Sequence, residues 1–201
     1  MDYKEKTIEA YNQNAKEFSE KFKLLMDDLK KRDEFQRFID LLRGKTVLDL
    51  GCGSGDHSLY FKEQGLDVTA VDLSEEMILL CKEKGLKTFL MDIENLEFQE
   101  VFFDGIWAVT SLLHLPKQKV SSVIKKLNLL LKPEGILYVC VKEGKGESLV
   151  KDAIGNTSRF FAFWTEEEMK RLFEDYFVLI ENKKVQLKNT AFLQAFFRKR
   201  V

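Results

Sequence analysis

The stretch VLDLGCGSGD, residues 47–56, runs an apolar strand straight into a turn with glycine at 51, 53 and 55. Asp49 stands inside that strand, where an unpaired charge is costly. Glycines let the backbone turn tightly and approach a ligand closely, because no Cβ intervenes. A strand, a glycine loop and a helix in that order open a doubly wound sheet, in which ligands bind beyond the carboxyl ends of the strands. An acid roughly 20 positions on, at the end of the second strand, accepts hydrogen bonds from ribose hydroxyls. Asp72, in VTAVDLS, lies 21 residues after Gly51.

Two details separate this loop from a dinucleotide fingerprint. It reads G-x-G-x-G rather than G-x-G-x-x-G. Asp49 also puts negative charge where a pyrophosphate would be repelled and where an ammonium or sulfonium would be attracted. The ligand it suits has both a ribose and a positive charge, and S-adenosylmethionine has both.

Working outward, the pattern predicts strands at 46–50, 67–71, 87–91, 104–109 and 135–141, with helical periodicity in most of the intervals. That alternation predicts an α/β fold with a right-handed, Rossmann-like parallel sheet. Residues 4–42 read as helices, with Phe18, Phe22, Leu25 and Leu29 as one apolar stripe. Ser74-Glu75-Glu76 offers a helix N-cap followed by acids, and Thr165 with Glu168 spells a capping box. The runs 176–182 and 191–198, joined by a short polar segment, are expected to pair antiparallel.

The chain has 201 residues, 45% of them apolar, and a formal net charge of −1, so it is expected to fold around a core of its own. Nucleic-acid binders usually carry a basic surplus, and its absence argues against such a partner. Cys52, Cys81 and Cys140 are odd in number and match neither a disulfide framework nor a zinc site, so a reducing cytoplasm is expected. MDYKEKTIEA has no signal-peptide core, and no run is long enough for a membrane span.

Between residues 44 and 142 the sequence resembles the class I S-adenosylmethionine-dependent methyltransferases, in particular their small members. VLDLGCGSG resembles the first motif of that family and VTAVDLSEEMI the second. FLMDIENLEF is similar to the third, FDGIWAVTSLLHLPK to the fourth, and LLKPEGILYVCVKEG to the segment entering the fifth strand. The resemblance implies a seven-stranded, mostly parallel sheet whose last strand is antiparallel, built as one domain over 1–201. Within it, 1–43 would be a helical lid and 44–142 the cofactor-binding core. Residues 143–164 would be an acceptor-side insert, and 165–201 a helix and β-hairpin.

The same resemblance implies roles for single residues. Asp49 would face the methionine ammonium, with Gly51, Cys52, Gly53 and Gly55 forming the close backbone around it. Asp72 would accept from the ribose, and Leu73 and Met77 would pack on the adenine. Asp92 would accept from the adenine amino group, with the Ile93 amide reading a ring nitrogen. Thr110 and Ser111 would line the passage to the acceptor. Tyr11, Ala15 and Phe18, in AYNQNAKEF, resemble a Y-x-x-x-A-x-x-Y/F segment that covers the cofactor.

His114 follows the fourth strand and is the candidate general base, should the acceptor have to lose a proton. His57 is read as structural. Arg159, Phe160, Phe161, Phe163 and Trp164 are candidates for the wall of the acceptor pocket, behind a polar hinge EGKGES. No metal site is expected. WAVTS lacks the N/D-P-P-Y/F pattern of base-amino methyltransferases, and no Pro-Cys nucleophile or paired glutamates stand in its place. By elimination the acceptor is expected to be a small molecule. An RNA or protein acceptor, or a non-catalytic cofactor-binding module, stays open, as do the acceptor atom and the oligomeric state.

Overall fold

The strand that leads into the glycine loop lies inside the sheet, with a neighbour on each side. In a computed structural model describing residues 2–29 and 33–200, β1 (Thr46–Leu50) pairs in parallel with β2 (Asp67–Asp72) on one side and β4 (Phe103–Val109) on the other. β3 (Lys87–Leu90) continues the sheet beyond β2, and β5 (Leu131–Lys142) continues it beyond β4. β9 (Thr190–Lys199) then runs antiparallel between β5 and the edge strand β8 (Phe177–Leu187). The order is β3-β2-β1-β4-β5-β9-β8, the expected seven-stranded, mostly parallel, doubly wound sheet. Strand order reverses between β1 and β4, which opens a crevice there for a ligand.

The inner parallel strands β1, β2, β4 and β5 are largely buried, covered by the crossover helices, whereas the edge strand β3 is mostly exposed. α4 (Asp56–Glu63), α5 (Glu75–Glu83) and α6 (Lys117–Leu130) make the crossovers, and α7 (Glu166–Phe173) leads into the final hairpin. Ser74 caps α5, its Oγ accepting from the Met77 amide at 3.2 Å. Thr165 and Glu168 form the reciprocal capping box at the start of α7. One face of the sheet packs Leu48, Ile106, Leu137 and Phe197 against α6 and α7. The other packs Val47, Trp107, Tyr138 and Phe196 against Phe35, Phe38 and Phe61.

Helices α1 (Tyr3–Gln13), α2 (Ala15–Leu29) and α3 (Asp33–Leu41) precede β1. Phe18 of the expected stripe is buried beside Met77, whereas the side chains of Leu25 and Leu29 lie outside the described residues.

Two segments differ from expectation. The polar stretch after 182 is strand almost to its end, with only Lys188 and Asn189 turning. β8 is an edge strand, so its lysines can face water while its backbone pairs with β9, a pattern that apolar periodicity does not detect. EGKGES is not a hinge throughout: from Glu147 it forms β6 (Glu147–Lys151), which pairs antiparallel with β7 (Ser158–Ala162) as a separate two-stranded sheet.

Candidate active site

The glycine loop leaves β1 with three glycines at positive φ. At Gly51, with φ of 71°, a Cβ would stand 2.4 Å from the Ser111 Cβ, so only glycine fits between the β1 and β4 loops. The Gly51 and Cys52 amides both donate to Val71 O at 2.9 Å, which ties the loop to the end of β2. There Asp72 accepts from Gly53 N at 2.8 Å through Oδ2 and from Ser74 N at 2.9 Å through Oδ1. Each oxygen keeps a further lone pair for a ligand. Burial raises the Asp72 pKa, opposed by these backbone bonds.

Asp49 is 2% exposed and receives the Ser58 hydroxyl at 2.6 Å. Burial pushes its pKa up to about 7, helped by the charge of Asp72 and resisted by Ser58. A cation arriving here would restore the carboxylate. Beside it, the Cys52 and Cys81 sulfurs are 3.7 Å apart, and that contact together with burial raises the Cys52 pKa well above the ordinary thiol range.

At the other flank, Asp92 is engaged by Lys4 of α1, whose Nζ donates to Oδ2 at 2.7 Å and also contacts Glu94. After β4, Thr110 holds φ of 52°, a strained value for a branched residue, while its amide donates to Cys140 O at 2.8 Å. Ser111 Oγ is buried without a partner.

His114 is tied at both nitrogens. Nδ1 lies 2.7 Å from Phe160 O, which can only accept, so Nδ1 carries the proton. Nε2, 2.9 Å from the Tyr11 hydroxyl, then accepts from it. Burial lowers the His114 pKa to about 3, so the ring is neutral and its free lone pair is already used. That geometry suits a residue that positions Tyr11, not a general base. Arg159 completes the chain, donating to Tyr11 Oη at 2.8 Å and to Asp152 at 2.7 Å.

A single cavity of about 290 Å³ joins these groups. Tyr11, Asp49, Gly51, Cys52, Gly53, Asp72, Leu73, Asp92, Ile93, Thr110, Ser111 and His114 all line it. Gly55 and Met77 do not. Gly55 starts α4 in the left-handed conformation against Leu86 and Cys81, and Met77 is fully buried beneath α2 with Ala15 and Phe18. The insert residues also lie off the cavity wall. Phe160, Phe161 and Trp164 are buried in the main core with Phe163 against them, and Arg159 reaches the site only through Tyr11. Phe160 and Phe161 are neighbours on β7 and so point to opposite faces, yet both are buried, and the aromatic run packs into the core instead of lining the cavity.

The cavity extends further than sequence reasoning traced it, along the sheet face to Trp107, Tyr138, Phe192 and Gln194, and under α3 to Glu34 and Phe35. His57 also faces it, its Nδ1 accepting from Trp107 Nε1 at 3.0 Å. Gln194 had a readable signal: it is the one polar residue in AFLQAFF, just as Asp49 interrupts VLDL. Lys4 and Glu34, ordinary charges on amphipathic helices, had none.

Comparison with known proteins bears on the family and the fold. Residues 47–135 match a family model described as a methyltransferase domain. A ubiquinone biosynthesis O-methyltransferase of Xylella fastidiosa (strain 9a5c) is 36% identical over 105 residues, 49% of this chain and 42% of that protein. The chain spans less than half the length of several curated relatives it matches. Among solved structures, the S-adenosylhomocysteine complex of DhpI superposes with a TM-score of 0.78 at 22% identity, covering 97% of this chain and 96% of that one. A Burkholderia thailandensis 1,6-didemethyltoxoflavin-N1-methyltransferase, solved with 1,6-didemethyltoxoflavin and S-adenosylhomocysteine, gives 0.68 at 24% identity over 93% of this chain and 87% of its own. Residues 47–135 of the chain are thus similar to the methyltransferase-domain family, and the chain shares its fold with these solved structures.

Proposed function

We propose that this chain, acting as one unit, transfers a methyl group from S-adenosylmethionine to a small-molecule acceptor. The observation that carries the reading is the paired placement of Asp72 and Asp49. One carboxylate has lone pairs to spare above a glycine loop it pins through Gly53, and the other is buried in want of a cation. The residues fit the cofactor. Asp72 would take the ribose, Asp49 the ammonium and Asp92 the adenine amino group once Lys4 yields. The unpartnered Ser111 hydroxyl is a further donor at the passage to the acceptor.

When bound, S-adenosylmethionine supplies an electrophilic methyl on a positively charged sulfur. The chain's own part is positioning and exclusion of water. Oriented reactants gain effective molarities of roughly 10⁵ M or more. Tyr11, held by Arg159 and His114, covers the cavity from the α1 side, and α1 is itself docked on β7 where Phe160 N donates to Thr7 Oγ1 at 3.0 Å. Because His114 is neutral with both nitrogens engaged, an acceptor that must lose a proton would lose it to water or to a group of its own. A small acceptor is supported by the cavity volume of about 290 Å³ and by the ubiquinone and toxoflavin enzymes among the similar proteins. The reading includes a reducing, cytoplasmic setting, supported by three cysteines that match no disulfide framework.

The test is to incubate the protein with methyl-labelled S-adenosylmethionine and a cell extract, then separate small molecules from macromolecules. Label in the small fraction is expected. Label in RNA or protein alone would overturn the acceptor class, and bound cofactor without transfer would overturn the activity.

A further inference from the structure

The far end of the cavity carries polar groups that the cofactor reading does not use. Register places them. Asp49 pairs with Trp107, Trp107 with Tyr138, Val109 with Cys140, and Cys140 with Gln194, so these side chains form adjacent rows on one sheet face. Strands are spaced about 4.8 Å apart, which puts Gln194, two strands along from β4, roughly 10 Å from the passage at Thr110. Two fused rings with a substituent at each end, and a hydrogen bond of about 2.8 Å beyond one of them, span that distance. The Trp107 and Tyr138 rings stack 4.1 Å apart along this floor, and Phe35 lies 5.0 Å from Trp107.

Gln194 is 6% exposed. Its Nε2 donates to Glu34 Oε1 at 3.3 Å, and since a carboxylate only accepts, the amide orientation is fixed. Its Oε1 is therefore turned the other way, buried and without a partner. A buried acceptor left unmade costs free energy that a ligand donor would recover. Beside this floor, Trp107 Nε1 can only donate, so His57 Nδ1 is unprotonated and the neutral ring carries its hydrogen on Nε2. Charge is unwelcome here. Burial lowers the His57 pKa to about 4, and Glu34 is already paired with Lys183 at 3.1 Å.

We propose that the methyl acceptor is an uncharged, flat, two-ring molecule bearing a hydroxyl or ring N–H that donates to Gln194 Oε1, with His57 Nε2 as a donor to it. Gln194 is thus a specificity-determining residue. The inference rests on the methyltransferase reading above, and its test separates the two.

Protein saturated with S-adenosylhomocysteine is titrated with four probes of one ring system: 2-naphthol, 2-methoxynaphthalene, 2-naphthoate and 2-naphthylmethylammonium. The expected result is that 2-naphthol binds about tenfold or more tighter than each of the others, the worth of one buried hydrogen bond. Gln194→Leu should erase the preference over 2-methoxynaphthalene while S-adenosylhomocysteine affinity stays within about twofold, which also shows that the variant is folded. Preference for the carboxylate or the ammonium, equal binding of naphthol and its methyl ether, or an unchanged preference in Gln194→Leu would overturn the proposal. So would no binding of any probe to protein that holds S-adenosylhomocysteine. Failure to bind S-adenosylhomocysteine at all would overturn the methyltransferase reading itself.

Discussion

The Tyr11 hydroxyl donates to His114 Nε2 across 2.9 Å, joining the first helix to the turn after β4. Arg159 donates to the same hydroxyl at 2.8 Å, so one phenol ties together three segments far apart in sequence. A catalytic base removed by mutation costs roughly 10²–10⁴ in rate. His114→Asn, which keeps a donor for Phe160 O, is expected to cost about tenfold or less, mostly through a raised KM, with an unchanged pH–rate profile. A loss of a hundredfold or more in kcat together with a vanished basic limb would assign His114 a proton-transfer role.

Gly51 and Gly65 both hold positive φ, 71° and 82°, but only Gly51 has a neighbour in the way, the Ser111 Cβ at 2.4 Å. Alanine at either site brings left-handed backbone strain of about 1–3 kcal/mol. Gly51→Ala adds a steric collision in the loop, so it is expected to lower the unfolding midpoint more than Gly65→Ala and to weaken cofactor binding as well. Equal effects in thermal unfolding would mean that the β1 and β4 loops are not in the contact described.

Asp49 makes a pH prediction whose sign follows from its raised pKa. In the empty protein the neutral acid is favoured up to about pH 7, against an ordinary value of 3.8. Stability from this group is therefore present below pH 3.8 and declines as pH rises to about 7. A bound ammonium favours the carboxylate, so binding below pH 7 must expel a proton. Cofactor affinity is expected to fall about tenfold from pH 8 to pH 6. Asp49→Asn should bind more weakly and without that pH dependence. A wild-type affinity that does not vary over this range would contradict the assignment.

Cys52 sits in the loop and lines the cavity, yet its contact with Cys81 and its burial keep the thiolate scarce. Reaction with iodoacetamide at neutral pH is expected to be about tenfold or more slower than in the unfolded chain. Labelling at the unfolded rate, read by mass spectrometry, would show the pair to be more open than it is here.

The centre of the sheet was legible because β1, β2, β4 and β5 are largely buried apolar runs and because α5 and α7 carry caps with a chemical signature. Asp49 and Asp72 stood out for a related reason: each places a charge where the apolar pattern forbids one without purpose. The far wall of the cavity was hidden because nothing in the sequence sets Trp107, Tyr138 and Phe35 apart from core residues, and only register shows that Trp107 and Tyr138 share a sheet face with Asp49. RFFAFWT read as a candidate pocket wall because composition does not say which way a strand's rings turn. His114 was visible as a histidine in a telling place, but its tautomer depends on Phe160 and Tyr11, partners distant in sequence.

The central claim is that a nucleoside with a cationic amino-acid tail is held above Asp72. Titration calorimetry with S-adenosylhomocysteine on the wild type and on Asp72→Ala tests it most directly. The wild type is expected to give one saturable site, and the variant to lose about a hundredfold in affinity or more, as removal of a charged acceptor costs about 1.5–3 kcal/mol for each hydrogen bond made. Absence of binding to the wild type, or equal affinity in both proteins, would contradict the account.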